Sequence, residues 1–325
     1  MPSVRARIAR KTFGGVVSAL KRWRERETGP IGPDASDELF EAGAIAVREA
    51  LELMTRSSIR ARGVDETQAI GAPVPTWWFV PTRPTDGRVV LYLHGGAYVA
   101  GSHGTHRGLA SAFARAAGAR IVLPEYRLAP ENRFPAAVDD ALDTYRWLLE
   151  VEGVAADQIV FAGDSAGAGL VVSTALAAKA AGLPQPAGLA CMSPWTDLTG
   201  TGESLVTNEG ADIWLDSSLV VPGGRIYAGT QASNPLASPL FGDHRGLPPT
   251  LVHVGGNEVL LDDSRRLVAR MRAAGVDASL GVFAGMWHVF QAVPGIPEGR
   301  RSLREMGAFV RRVTAAAPAM STSDR

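Results

Sequence analysis

From about Trp77 onward the chain alternates short, near-continuous apolar runs with segments whose apolar residues recur every three to four positions. The runs at 88–94 (RVVLYLH), 120–124 (RIVLP), 158–162 (QIVFA), 187–192 (AGLACM) and 250–254 (TLVHV) predict strands. Branched aliphatic residues on both alternating faces suit a parallel sheet covered by helices on either side. Helical periods fall between them, over roughly 106–117, 135–149, 165–181, 262–274 and 298–315. This alternation predicts one open α/β sheet. The stretch 199–230 does not fit it and reads as an excursion from the sheet.

The first fifty residues follow a different pattern. Val4, Ile8, Val16, Val17, Leu20 and Trp23 form a rough apolar stripe against an Arg/Lys face, broken at Gly14-Gly15. A turn-rich break follows at 29–36 (GPIGPDAS), and a helical period resumes over 37–54. A basic amphipathic helix of this kind can lie on a membrane surface. Its shortage of large apolar residues favours packing on the protein itself. It lacks the continuous apolar core of a signal peptide, and no later segment reaches the length of a membrane span. The expected location is therefore cytoplasmic.

Composition narrows the classes further. With 325 residues, 46% hydrophobic and 20% charged, the chain can bury a large core. Lys plus Arg equals Asp plus Glu at 33 each, which gives no ground to expect nucleic acid as a partner. The single cysteine, Cys191, precludes an intrachain disulfide, fits a reducing compartment and reads as a small core residue at a strand end.

The strongest chemical signal is Gly163-Asp164-Ser165-Ala166-Gly167, which directly follows the strand QIVFA and opens the next helix. A serine on a tight strand-to-helix turn stands clear of the backbone, and small neighbours are needed for the turn to form. The helix N-terminus also favours negative charge developing beside it. Ser165 is thus the candidate nucleophile, the alternative being a helix-capping serine after a glycine-rich turn. A second glycine signal, His94-Gly95-Gly96-Ala97-Tyr98, lies at the end of an earlier strand. Acyl transfer needs N–H donors aimed at the oxygen of a tetrahedral intermediate. Gly95 and Gly96 would supply two, and Ala166 a third.

Taken in order, HGGAYVAGS, EYRLAPENRFPAA (125–137), GDSAG and SPWTDL (193–198) resemble the motifs of the bacterial hormone-sensitive-lipase family of α/β-hydrolase esterases. The likeness runs from about Trp77 to the final helix, with Ala97 standing where the family usually has a third glycine. It implies the α/β-hydrolase fold: an open, mostly parallel sheet covered by helices on both faces, with a helical cap. On that pattern residues 1–54 are cap helices and 55–325 the catalytic domain, interrupted by a cap insertion at about 199–230. The resemblance also implies hydrolysis of short-chain carboxylic esters without a metal or organic cofactor.

In this fold the triad runs serine, acid, histidine along the chain. Of six histidines, only His288 lies beyond both the nucleophile and a candidate acid. The acid falls in the loop GGNEVLLDD after TLVHV, where the family's motif aligns its catalytic carboxylate with Glu258 and a later aspartate with Asp262. Glutamate can do this work, because the task is to hold the imidazole tautomer and stabilise the imidazolium. Asp262 remains the competing position; with Asp263 it suits the start of the next helix. Asp164, Glu125 and Arg127 read as scaffold around the motifs. Tyr98, Trp195, Trp287 and Phe290 flank catalytic positions and are either substrate-pocket walls or core aromatics. His103-x-x-His106 has a metal-ligand spacing but no second pair of ligands.

The same triad would serve an amidase or a lactonase, and some members of this superfold bind small ligands without turning them over. The expected partner is a small ester, with neither nucleic acid nor a membrane involved. Family resemblance adds a possible homodimer through the last strand and helix.

Overall fold

The computed structural model describes residues 2–12, 37–55, 58–84 and 87–315. Its centre is an eight-stranded sheet with the order β1-β2-β4-β3-β5-β6-β7-β8. The strands are β1 Val64–Gln68, β2 Thr76–Pro81, β3 Val89–Leu93, β4 Arg120–Pro124, β5 Ile159–Asp164, β6 Gly188–Met192, β7 Thr250–Gly255 and β8 Ala278–Phe283. All neighbours from β4 to β8 are parallel; β1/β2 and β2/β4 are antiparallel. The five strands expected from the apolar runs are all present. Beyond those five, the antiparallel hairpin β1/β2 and the edge strand β8 complete the sheet.

Strand alternation divides the interior in two. Leu91, Leu93, Val122, Phe161, Leu189, Cys191 and Val252 face one core, packed under the helices Ala136–Glu150, Ser165–Ala180 and Leu261–Ala273. Val90, Tyr92, Ile121, Val160, Ala162, Ala190 and Met192 face the other, under His103–Ala117 and Pro297–Val313. Because successive side chains point to opposite faces, a run such as VVLYL must be apolar throughout to fill both cores. Cys191 sits in the first core, where burial pushes its thiol up to about 12. The helix Ser165–Ala180 is buried along almost its whole length, so it carries apolar or small residues all round rather than on one stripe.

The helix expected from 106 begins at His103. A capping box sets that start: the Ser102 side chain accepts the Thr105 N–H, and the Thr105 hydroxyl accepts the Ser102 N–H. Residues 4–12 are helical and Asp37–Thr55 forms the second helical segment as expected, whereas the breaks expected at Gly14-Gly15 and 29–36 lie outside the described residues. Residues 4–12 pack on the protein through Ala6 rather than through Val4 and Ile8, while Val16, Val17, Leu20 and Trp23 of the expected stripe lie outside the described residues. Ala6 is buried against Phe283, Met286, Trp287, Phe290 and Ile296, while Val4 and Ile8 are about 60% exposed. Residues 199–230 leave the sheet between β6 and β7, and carry the short helices Ser204–Thr207 and Val220–Ala228. Asp37–Thr55 packs on Val220–Ala228, and together they roof a cleft above the C-terminal ends of the strands. Among the described residues no helix is long and apolar enough to cross a membrane.

Candidate active site

Ser165 stands at the junction of β5 and its helix with φ 54°, a left-handed conformation that costs an L-residue energy and turns its side chain away from the strand. The turn is wedged against the end of β3. A Cβ on Gly163 would lie 2.5 Å from the Leu93 carbonyl oxygen, and one on Gly167 would lie 2.1 Å from the same atom. Both glycines of the G-x-S-x-G pattern are therefore fixed by close backbone approach.

His288 lies in the loop after β8, and Glu258 in the loop after β7. The Ser165 hydroxyl and His288 Nε2 are 2.8 Å apart, and His288 Nδ1 is 3.0 Å from Glu258 Oε2. A carboxylate can only accept, so the proton sits on Nδ1 and Nε2 is free to accept from the serine. The second carboxylate oxygen, Oε1, accepts the Ser193 hydroxyl at 2.6 Å and the Gly255 N–H. Glu258 is fully buried and His288 nearly so. Burial pulls the imidazole pKa down, but the hydrogen bond to Glu258 and the charges of Glu258, Asp212 and Asp164 outweigh it and raise it above its usual value. Asp262 points elsewhere: its Oδ2 accepts the Ser204 N–H at 2.9 Å, tying the insertion to the helix Leu261–Ala273. Asp263 anchors the Thr196 and Asp197 N–H groups, and burial raises its carboxyl to about 6.

The non-glycine residues with positive φ, among those described, are Ala97, Tyr98, Ser165, Ser193 and Val289. Every one belongs to a loop that meets at this site. Strained backbone of this kind, on the order of 1–3 kcal/mol each, persists only where the surroundings hold it.

The glycine loop after β3 departs from expectation at one residue. Gly95 N–H donates to Asp164 Oδ1 at 3.2 Å, so it belongs to the scaffold and is not open to a bound oxygen. Gly96 and Ala97 line the cleft with Ser165, and Ala166 follows Ser165 in the first turn of its helix. Asp164 is buried and also accepts the Tyr92 hydroxyl at 2.7 Å. Burial alone would push its carboxyl up; the charge of His106 and the hydrogen bonds of His106 and Tyr92 hold it below the usual range. The other scaffold residues behave similarly. Glu125 accepts from His103, and Arg127 forks onto Asp140 at 2.7 and 3.0 Å. His103 stacks on Trp77 beside Glu125 while His106 lies 3.4 Å from Asp164, and among the described residues no group of three or more His, Cys, Asp or Glu is placed to hold a metal ion.

Of the four candidate pocket aromatics, Trp195 and Trp287 line the cleft. Tyr98 and Phe290 do not. Tyr98 stacks on Tyr227 at 3.7 Å, and Phe290 packs on Phe283 in the small core that receives Ala6. Ile213, Trp214, Leu215 and Val220 of the insertion line the same cleft, as do Ala44, Val47 and Leu51 of Asp37–Thr55. Asp212, also from the insertion, accepts the His288 and Val259 N–H groups, both at 3.3 Å. Neither Asp212 nor Ser193 stood out as a site residue in the sequence; SPWTDL marked the second only as part of a motif.

A family model described as the alpha/beta hydrolase fold matches residues 90–292. An acetyl-hydrolase of Streptomyces hygroscopicus is 46% identical over 239 residues, covering 73% of this chain and 79% of that protein. A crystal structure of an esterase from the bacterial hormone-sensitive lipase family is 40% identical with a TM-score of 0.83, covering 97% of this chain and all of the other. The chain belongs to that family of α/β-hydrolases. A further structure, of EstE5 soaked with p-nitrophenyl butyrate, is 37% identical with a TM-score of 0.81, covering 92% of this hydrolase and 99% of its own chain.

Proposed function

We propose that this hydrolase is a serine carboxylesterase acting on short-chain carboxylic esters, with Ser165 as nucleophile, His288 as general base and Glu258 as the acid of the triad. The observation that carries it is the continuous hydrogen-bonded line from the Ser165 hydroxyl through both nitrogens of His288 to Glu258. Family membership and the esterases among its relatives support the same reading.

The chemistry follows from the geometry. As Ser165 Oγ attacks the ester carbonyl carbon, its proton passes to His288 Nε2, and the imidazolium that forms faces Glu258. The carbonyl oxygen becomes an oxyanion, which the N–H groups of Gly96, Ala97 and Ala166 stabilise. Collapse expels the alcohol, which takes the proton from His288 and leaves an acyl-serine. Water deprotonated by His288 then attacks the acyl carbon, and the carboxylic acid departs as Oγ recovers its proton. Trp195 and the residues 213–215 line the cleft that holds Ser165, and the helices Asp37–Thr55 and Val220–Ala228 act as a cap that limits acyl length.

Hydrolysis of p-nitrophenyl acetate, butyrate, octanoate and palmitate by wild type and Ser165→Ala tests this directly. The expected result is a maximum at acetate or butyrate that the substitution abolishes. Rates rising steadily toward palmitate would remove the chain-length limit, and turnover surviving in Ser165→Ala would remove the mechanism.

A further inference from the structure

Asp212 belongs to the excursion between β6 and β7, yet its carboxylate also accepts hydrogen bonds from the two catalytic loops. Oδ1 accepts the N–H of His288 at 3.3 Å and that of Trp214 at 3.0 Å, and Oδ2 accepts the N–H of Val259 at 3.3 Å. Val259 immediately follows Glu258. One cap carboxylate therefore bridges the backbone of the triad acid's loop and the backbone of the triad base. All these partners are donors, which suits an ionised carboxylate; a protonated one would press its hydrogen against an N–H. Asp212 is 9% exposed and lines the cleft, so its charge acts where water screens it weakly. On the sheet side Ser193 spans the same two loops, through Glu258 Oε1 and the Val289 N–H.

We propose that Asp212 is a positioning residue: it couples the seating of the cap to the catalytic histidine, fixing the His288 backbone and adding a second negative charge that supports the imidazolium formed during acyl transfer. The inference rests on the esterase reading for its catalytic consequence, though not for its electrostatic one. The groups facing His288 are Ser165 from the nucleophile helix, Glu258 from the loop after β7, Asp212 from the cap and Asp164 from the end of β5. Burial raises the Asp212 carboxyl above its usual value and Glu258 adds to this, while His288 and the bonded N–H groups offset the rise only in part. An isostere without charge should then lower the imidazole pKa, whereas a merely structural role predicts little change in it.

The test compares full-length wild type, Asp212→Asn and Asp212→Glu in two measurements. One is the pH dependence of p-nitrophenyl butyrate hydrolysis. The other is NMR titration of the His288 imidazole, assigned by its loss in His288→Asn. Thermal denaturation checks that each variant is folded. Asp212→Asn is expected to move both midpoints down by about half a unit or more and to lower kcat with KM little changed. Asp212→Glu, which keeps the charge on a longer arm, is expected to keep the titration midpoint near wild type. An unmoved midpoint in folded Asp212→Asn would overturn the proposal, as would an equal shift in Asp212→Glu. If wild type failed to turn over the ester but the NMR midpoint moved as expected, the esterase reading would fall and the electrostatic coupling would stand.

Discussion

Ser193 and Glu258 are joined by a 2.6 Å hydrogen bond at the floor of the triad, and the serine hydroxyl that donates it also accepts the Val289 N–H at 3.1 Å. Ser193 itself has φ 49° and Val289 has φ 47°. One hydroxyl thus holds the acid's oxygen and a strained, β-branched residue next to the base. Removing it in Ser193→Ala leaves the buried Val289 N–H without its acceptor and leaves Glu258 Oε1 with the Gly255 N–H as its remaining donor. The expected loss is about 1–3 kcal/mol of stability together with a several-fold drop in kcat. Urea denaturation beside p-nitrophenyl butyrate kinetics measures both, and a variant as stable and active as wild type would show that the bridge is dispensable.

Glu258 reaches His288 with one more methylene than an aspartate has, and its fully buried carboxylate is acceptor to three groups. In Glu258→Gln the side chain fits, but an amide can offer an N–H where an acceptor is needed, and the imidazole loses its fixed tautomer. A fall in kcat of about 10²–10⁴-fold is expected, with KM changed far less. Asp262→Asn should leave kcat within a few-fold, because that carboxylate holds Ser204 rather than the histidine. If the Asp262 substitution proved the more damaging for turnover in folded protein, the acid has been misassigned.

Histidine titration gives the pH dependence a definite sign. The proposed mechanism needs neutral His288, whose pKa is raised above 6.5 in the folded protein. The acid limb of kcat/KM should therefore have its midpoint above 6.5 and activity should climb through it. The stability linkage of this group runs the other way: it contributes most below its unfolded pKa, and the contribution is lost as pH rises through the folded value. A kcat/KM midpoint well below 6 would contradict the electrostatic picture of the site.

His94 and His253 have the opposite sign and act on stability alone. Burial, as the largest cause in each, lowers both from 6.5 to about 4. The unfolded chain then binds more protons than the folded one between those values, so stability is intact above about pH 6.5 and drains away toward pH 4. The two together are worth on the order of several kcal/mol across that window. His253 packs beside Phe283, with Nδ1 2.8 Å from the Ser302 hydroxyl. His253→Gln should flatten the acid slope of Tm against pH while costing some stability at pH 7. A wild-type Tm that is level from pH 7 to 4.5 would rule this account out.

What the sequence made legible follows from which constraints are local. The five apolar strands could be read because each must fill two cores, and the nucleophile because its turn needs glycines on either side. β1, with the sequence VDETQ, sits at the sheet edge with little apolar surface, so no hydrophobic pattern announced it. Glu258 and His288 lie 30 positions apart and their order after Ser165 follows the family's arrangement. Asp212 had no such guide. It lies in a stretch without helical or strand period, and only folding brings it to His288, 76 positions away. Tyr98 and Phe290 show the converse: nearness to a catalytic residue in sequence did not say which way a ring turns, and packing drew both inward.

A tight steric demand at the site is testable through stability as well as through activity. A Cβ on Gly167 would sit 2.1 Å from the Leu93 carbonyl oxygen and 2.3 Å from that of His94. Both are backbone atoms of the strand end that carries the glycine loop, so no side chain can swing aside to relieve the clash. Gly167→Ala must push the nucleophile helix away from β3 or displace the loop bearing Gly96 and Ala97. A loss of about 3 kcal/mol or more is expected, within the range of severe overpacking, and activity should fall further than the fraction unfolded explains. Gly275 provides the control. It has φ 83° with open space around its would-be Cβ, so Gly275→Ala carries only the backbone cost, about 1–2 kcal/mol. Urea denaturation of the two variants side by side separates contact from conformation. Equal losses would mean that the helix and strand can part easily, and the close approach would then not be what requires glycine at 167.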